Sequence, residues 1–512
     1  MQAWSDGYMT DVEYTYGYYA ELNPLRTRLA MLSEGFAYPE VGTACELGFG
    51  QGLSINVHGA ASSTEWFGTD FNPAQAAFAK ELASDPARAA RIFDDAFDAF
   101  SSRSDLPDFD FIGLHGIWSW ISDSNRAVIA EFIRRKLKVG GVLYISYNTQ
   151  PGWAAMAPLR DLLTEYSDSL VAPGTETSKR IEASLEFATK LLDSGALYGR
   201  ANPSVAEHLK RLSGHPSNYL AHEYFNRDWM PMPFSRMAEW MESLKLSFAG
   251  SAHYLDHIDV LNMTGDQAKF LNEIPDKRFR ETAKDFMVNQ RFRRDYWVRG
   301  GRRLTGFEIT EKLRAQRVVL GVPRAKASLK AKGSLIEADL KPEVYGPILD
   351  ALADYQPRYV RDIEKQVAAR GVSINQILQA LVILAGTGTI YPAQDDPAIQ
   401  LARPQTDALN ARLRARARFS TEITHLASPV TGGGVSVSRL EQMFLLAMDT
   451  GLQQPGEWAK VAADLLESQN QRVLVEGTPV ASVELQRDEL NKQALDFSTV
   501  RVPLLKGLGI TG

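Results

Sequence analysis

A single cysteine, Cys45, stands in 512 residues, so no intrachain disulfide frames the chain. It sits in an apolar run, where burial suits it better than reactivity, and its scarcity is compatible with a reducing compartment. With one cysteine and eight scattered histidines, none of the usual metal-ligand spacings can be completed, and no metal site is expected. His253 and His257, with Asp256 beside them, come nearest and read as ordinary strand and turn residues. No apolar run reaches the ~18 residues that cross a bilayer, and Met1 to Thr10 lacks the basic and apolar regions of a signal peptide. A cytoplasmic location without a membrane span is therefore expected. An excess of one charge is missing too: 56 Lys and Arg meet 62 Asp and Glu, a net charge of −6, which gives no overall pull toward nucleic acid or anionic membranes. Internal repeats are absent as well.

What is present is an ordinary globular composition, 45% hydrophobic and 23% charged, in a length that fits roughly two to four domains. From Val41 to Tyr147 strand-like and helix-like runs alternate, which argues for a parallel sheet with helices on both faces. The spacing predicts strands at 42–46, 65–69, 90–93, 109–115 and 142–147, with a helix over 125–137 before the Gly140-Gly141 turn. Residues 158–229 read as mainly helical, and strand character returns at 244–249 and 259–263. The helical stretch is therefore expected to be an insertion or lid.

The most informative segment is Ala44-Cys45-Glu46-Leu47-Gly48-Phe49-Gly50-Gln51-Gly52, with Asp70 at the end of the next strand-like run. Glycines at a strand-to-helix turn let backbone approach a ligand closely, and an acid at the following strand end can hold the two hydroxyls of a ribose. A nucleoside-containing cofactor follows, either a dinucleotide or S-adenosylmethionine. The dinucleotide fingerprint requires a third glycine where Leu53 stands, and Glu46 would repel a pyrophosphate while suiting the ammonium of a methionyl group. Charge favours S-adenosylmethionine, and a dehydrogenase ranks behind it. Because ligands of such sheets bind outside the carboxyl ends of the strands, Glu46, Asp70, Asp95, His115 and Tyr147 are expected to converge.

The amino-terminal arm carries Tyr8, Tyr14, Tyr16, Tyr18 and Tyr19, which could cover a cofactor or pack on the sheet. The basic and aromatic stretch 291–303 could grip single-stranded nucleic acid, but Phe292, Tyr296 and Val298 alternate as in a half-buried strand with a solvated charged face, which is the preferred reading. Residues 342–392 suggest a winged-helix-like module whose recognition segment, 373–385, holds no Lys or Arg, so nucleic-acid binding is not expected there. Arg412, Arg414, Arg416 and Arg418 read as a solvated face.

Several blocks together resemble one family: Tyr16-Gly17-Tyr18-Tyr19 with Asn23-Pro24, the glycine loop, Asp70-Phe71-Asn72-Pro73, His115-Gly116 with Ser119-Trp120, Ser146 to Trp153, and His222 to Asn226. Over roughly residues 8 to 300 the chain resembles class I S-adenosylmethionine-dependent methyltransferases of the bacterial group that carries a methyltransferase regulatory domain, which includes rickettsial protein-lysine methyltransferases. The resemblance implies an α/β, Rossmann-like sheet with a helical insertion, followed by α+β carboxyl-terminal domains. It places Gly48, Gly50 and Gly52 on the cofactor loop, Glu46 at the methionyl part, Asp70 at the ribose, and Asp95 and Ala96 beside adenine. Tyr18 and Phe71 stand in matched blocks, and Phe49 departs from the small or polar residue many relatives have beside the sulfonium.

Expected divisions are 1–157 with 230–265 for the cofactor-binding domain, 158–229 for the lid, 266–400 for a middle regulatory domain and 401–512 for the last. The expected reaction is methyl transfer to nitrogen or oxygen, on a macromolecule such as a protein lysine or a surface saccharide. A cofactor sensor or scaffold that binds without turnover is the alternative, and the appended domains also suit a homodimer. Positioning an acceptor in line with the sulfonium can supply much of the rate, and a base must remove a proton. His115 has the type and place for that base, or it is a structural histidine. His222 and Glu223 form a second pair, and Tyr147 and Asn148 could orient an acceptor amine.

Overall fold

The computed structural model of the chain describes residues 12, 14–83, 90–172, 174–475 and 477–511. The alternating pattern resolves into a seven-stranded sheet built from β1 (Thr43–Leu47), β2 (Glu65–Thr69), β3 (Arg91–Phe93), β4 (Phe109–Leu114), β5 (Leu137–Asn148), β6 (Leu246–Ser251) and β7 (Phe292–Arg299). Their order across the sheet is β3-β2-β1-β4-β5-β7-β6. The first five run parallel, and β7 is antiparallel to both β5 and β6. The α/β fold with a mostly parallel sheet agrees with the sequence, and the five expected strands all form.

Side-chain alternation sends the two faces into different cores. Leu143, Ile145 and Tyr147 of β5 join Cys45, Leu47, Ile112 and Trp297 under the helices Asp123–Lys136 and Phe234–Ser243. Val142 and Tyr144 face the other way with Ala44, Phe111, Tyr296 and Val298, under the helix Pro24–Ser33.

Two expectations about the sheet are corrected. Residues 259–263 do not extend it: Asp259–Asn262 is a short helix, fixed because Asn262 Nδ2 donates to the carbonyls of Leu255 and Ile258 at 2.7 and 3.0 Å. The last strand is β7, from the stretch expected to lie in a middle domain. Its charged side is not solvated, since Arg293 and Asp295 are 6% and 1% exposed. Arg293 bonds Asp295 through Nε at 3.0 Å, Asp285 through Nη1 at 2.7 Å and Glu281 through Nη2 at 3.0 Å. A guanidinium so engaged offers nothing to a phosphate.

The insertion folds as helices Ala157–Ser169, Thr177–Asp193, Leu197–Ala201, Pro203–Leu212 and Ser217–Tyr224. They close around their own core of Leu159, Leu163, Ile181, Leu209 and Leu220, which also takes in Trp153 and Tyr224. In the carboxyl-terminal half, strands Arg358–Tyr359, Arg317–Leu320 and Ile390–Ala393 form a small sheet in that order, with helices Val360–Val367 and Ile374–Gly386. Helix Asp396–Arg416 and the hairpin His425–Ser428 with Gly433–Ser436 then pack on the helix Leu53–Ala61, which follows the glycine loop. Three arginines of that long helix are partnered, not free: Arg416 pairs with Glu81 at 2.9 Å, Arg414 with Asp449 at 3.1 Å, and Arg412 donates to the carbonyl of Glu81 at 2.7 Å. No single helix among the described residues is long and apolar enough to cross a membrane.

Candidate functional site

The glycine loop leaves β1 through three left-handed residues, Gly48, Gly50 and Gly52, with φ of 73°, 58° and 71°. Space as well as dihedral demands glycine at Gly52, where a Cβ would lie 2.4 Å from the Cβ of Ala79 on the next helix. The loop is pinned by Asp70, whose Oδ2 accepts the Gly50 N–H at 2.8 Å while Oδ1 accepts that of Asn72 at 3.0 Å. Burial pushes the Asp70 carboxyl up to about 7 against the pull of those two bonds. Glu46 is 1% exposed. Its Oε2 has no hydrogen-bond partner, and burial, reinforced by Asp70, holds its carboxyl well above the usual range. An orphaned buried carboxylate beside a backbone loop fits a ligand that brings positive charge.

Not every expected residue joins this loop. Phe49 is buried and packs inward toward Gly68 and Gly52. Tyr18 turns away altogether: its ring lies against His58 and His425, with centroids 5.2 and 4.9 Å apart. It is wedged against Gly433 and Gly434 of the carboxyl-terminal hairpin because only glycine leaves room for its ring there. Asp95 pairs with Arg103 at 3.0 Å, Ala96 is exposed and caps the next short helix, and Phe71 is half-buried after Asp70.

A cavity of about 530 Å³ opens between the carboxyl ends of β4 and β5 and the inserted helices. His115 lies in its wall, stacked on Tyr19 with ring centroids 3.6 Å apart, and its Nδ1 is 2.7 Å from the Tyr144 hydroxyl. Burial pulls His115 down to about 4, so the ring is neutral at ordinary pH and weakly basic. A neutral phenol that donates to Nδ1 leaves the proton on Nε2. Asn148, 2% exposed, lines the cavity with an amide nitrogen that has no partner. Tyr147 does not line it. One residue earlier on the strand, it faces the opposite core, and its hydroxyl donates to Asp295 at 2.8 Å.

From the insertion come His222, whose Nε2 lies 3.0 Å from the Val12 carbonyl, and Glu223, whose carboxyl burial raises to about 7 with Arg291 opposing. The five residues expected to converge thus divide: Glu46 and Asp70 meet at the loop, His115 lines the cavity, where Asn148, His222 and Glu223 join it, and Tyr147 and Asp95 join neither. The wall also holds Tyr14 and Tyr19 of the arm expected to cover a cofactor or pack on the sheet, together with Trp120, Trp153 and Arg291, which were not among the expected site residues. The arm tyrosines and both tryptophans stood within or beside the matched blocks, which was the available signal. Tyr8 lies outside the described residues.

Comparison with known proteins decides the family. The chain is 37% identical over 99% of its length to the Synechocystis protein sll1526, itself uncharacterized, and spans all of it. Residues 216–299 match the predicted methyltransferase regulatory domain. The chain belongs to the class I S-adenosylmethionine-dependent methyltransferases that carry this domain. The regulatory-domain match runs from the last inserted helix through β7, before most of the 266–400 stretch expected to hold it. In fold this methyltransferase is similar to PKMT2 from Rickettsia typhi, solved in complex with AdoHcy, with a TM-score of 0.69 at 18% identity, covering 97% of this chain and 99% of that one. A second relative, RP789 of Rickettsia prowazekii, is 27% identical over 54% of this chain and 49% of its own length. S-adenosylmethionine is the cofactor of the family, and the loop with Glu46 and Asp70 fits it.

Proposed function

We propose that this methyltransferase acts on the side-chain amine of a protein lysine, with Glu223 as the base. The observation that carries the reading is a carboxyl raised to about 7 in a wall with Trp120, Trp153 and Tyr219, a lining suited to a long unbranched side chain. S-adenosylmethionine supplies a methyl group already activated on its sulfonium. Asp70 and the glycine loop hold the ribose side, and Glu46 offers its unpartnered oxygen to the methionyl ammonium. Glu223 takes a proton from the acceptor ammonium, which leaves a nitrogen lone pair free to attack as the carbon–sulfur bond breaks. The carbonyl oxygen of Asn148 accepts a remaining N–H and aims the lone pair. His115 orients through its stack on Tyr19 and its bond to Tyr144, because a ring titrating near 4 is largely unable to hold a proton near neutrality.

An amine is favoured over a saccharide hydroxyl because a base near 7 is matched to an ammonium of ordinary pKa ~10.4 and far from an alcohol. The reading takes the sheet with its β7 strand as the cofactor unit, 158–229 as the lid over the acceptor, and the carboxyl-terminal half as support for the loop helix. The presence of PKMT2 among structures of this fold is in keeping with it.

The test is transfer of tritium from labelled S-adenosylmethionine to cell-envelope protein and polysaccharide fractions, with lysine-acetylated protein as control. Label in protein that acetylation abolishes is expected. Label in polysaccharide alone would sink the amine reading, and cofactor binding without transfer to either fraction would favour a sensor.

A further inference from the structure

Among the described residues, two guanidiniums, Arg211 and Arg291, share the wall of the acceptor cavity with a single carboxylate. Arg291 stands just before β7, where Thr149 N–H donates to its carbonyl at 3.0 Å. Gly152 lies so close that a Cβ there would be 2.4 Å from the Arg291 Cα. The strand end and the turn after β5 thus hold Arg291 in the wall. Its guanidinium sits 4.0 Å above the Trp153 ring and bonds neutral groups: Nη2 reaches the Tyr224 hydroxyl at 2.9 Å and His208 Nε2 at 3.1 Å. Among the described residues it forms no ion pair. A second guanidinium, Arg211, contacts the same His208 ring at 3.4 Å and pairs with Glu207 on its own helix at 3.6 Å, so Arg291 is, among the described residues, the cation of the wall without an anionic partner. Three further donors in the wall, Asn148 Nδ2, Trp120 Nε1 and Trp153 Nε1, are buried without partners. Glu223 is the one carboxylate among the residues that line the cavity.

Buried donors left unmade are costly, and a cation whose partners are neutral retains its pull on an anion. We infer that Arg291, helped by Arg211 and the Asn148 amide, binds a carboxylate of the acceptor, so that the enzyme selects lysines flanked by an acidic residue. The inference rests on the amine-acceptor reading. The same positive wall favours the neutral form of the lysine and so assists Glu223.

The test is binding to the full-length protein, saturated with S-adenosylhomocysteine, followed through tryptophan fluorescence. Three blocked pentapeptides serve as probes: lysine flanked by glutamates, lysine flanked by glutamines, and norleucine flanked by glutamates. The glutamate-lysine peptide is expected to bind about tenfold tighter than the glutamine one. Arg291→Gln should abolish that advantage and leave affinity for S-adenosylhomocysteine unchanged. Arg211→Gln, at a more exposed position, should reduce it and serves if the first variant does not fold. Equal binding of the glutamate and glutamine peptides, or no binding of either, overturns the inference. A loss of S-adenosylhomocysteine affinity in Arg291→Gln also overturns it, by assigning the arginine to the cofactor's own carboxylate. If norleucine binds as well as lysine while the glutamate advantage persists, the anion site stands and the amine reading fails.

Discussion

Asp70 Oδ2 accepts the Gly50 N–H at 2.8 Å, so the acid at the end of β2 shapes the loop that leaves β1 before any cofactor arrives. Asp70→Ala should therefore weaken S-adenosylmethionine binding by more than the loss of a ribose contact alone, by about 1.5–3 kcal/mol. Calorimetric titration checks this, and unchanged affinity would remove Asp70 from the cofactor site.

Glu223→Gln should cut the rate of transfer by about 10² to 10⁴ while calorimetric affinity for S-adenosylhomocysteine stays the same. A base must be ionised to act, so the wild-type rate should rise with pH through an inflection near its pKa of about 7. The inflection should vanish in the variant. If it persists there, it belongs to the acceptor.

Tyr147→Phe removes a donor from the buried Asp295 carboxylate. It should lower stability toward denaturant by about 1–3 kcal/mol, at the low end because Arg293 still holds Asp295 at 3.0 Å. Transfer at saturating substrate should be unaffected, whereas a large fall in kcat with normal stability would return Tyr147 to the reaction.

Gly52→Ala meets both a positive φ of 71° and a contact of 2.4 Å with the Ala79 Cβ, and should lower stability by several kcal/mol. Gly140→Ala shares the positive φ of 82° but has nothing within 4 Å, so about 1–2 kcal/mol is expected there. Thermal melts of the two variants separate crowding from backbone strain.

The sheet was legible because its strands announce themselves by period and by the glycines and acids at their ends. Within β5 the same period distinguishes Tyr147 from Asn148: adjacent residues on a strand cannot both face one cavity, so pairing them as acceptor contacts conflicted with the alternation. Tyr18 was not legible in this way. Its neighbours His425, Gly433 and Gly434 lie some four hundred positions further on, and pattern within a window carries no information about them. The partners of Arg412, Arg414 and Arg416 were hidden for the same reason, since Glu81 and Asp449 lie far off in sequence. Arg293 read as solvated because a charged strand residue usually is. The carboxylates of Asp285 and Glu281, on the preceding helix, join Asp295 in making its burial tolerable.

The helix that carries the cofactor loop has no free side. Leu53 and Val57 belong to one apolar core with Leu409, Leu413, Leu426 and Val435, while Ile55 packs into the sheet core. A fragment ending near residue 300 would contain every group named in the reaction and would still leave that helix bare along one flank. The segment that looks like an accessory is thus part of the floor on which the cofactor loop is built, through the helix Asp396–Arg416 and the hairpin that follows it.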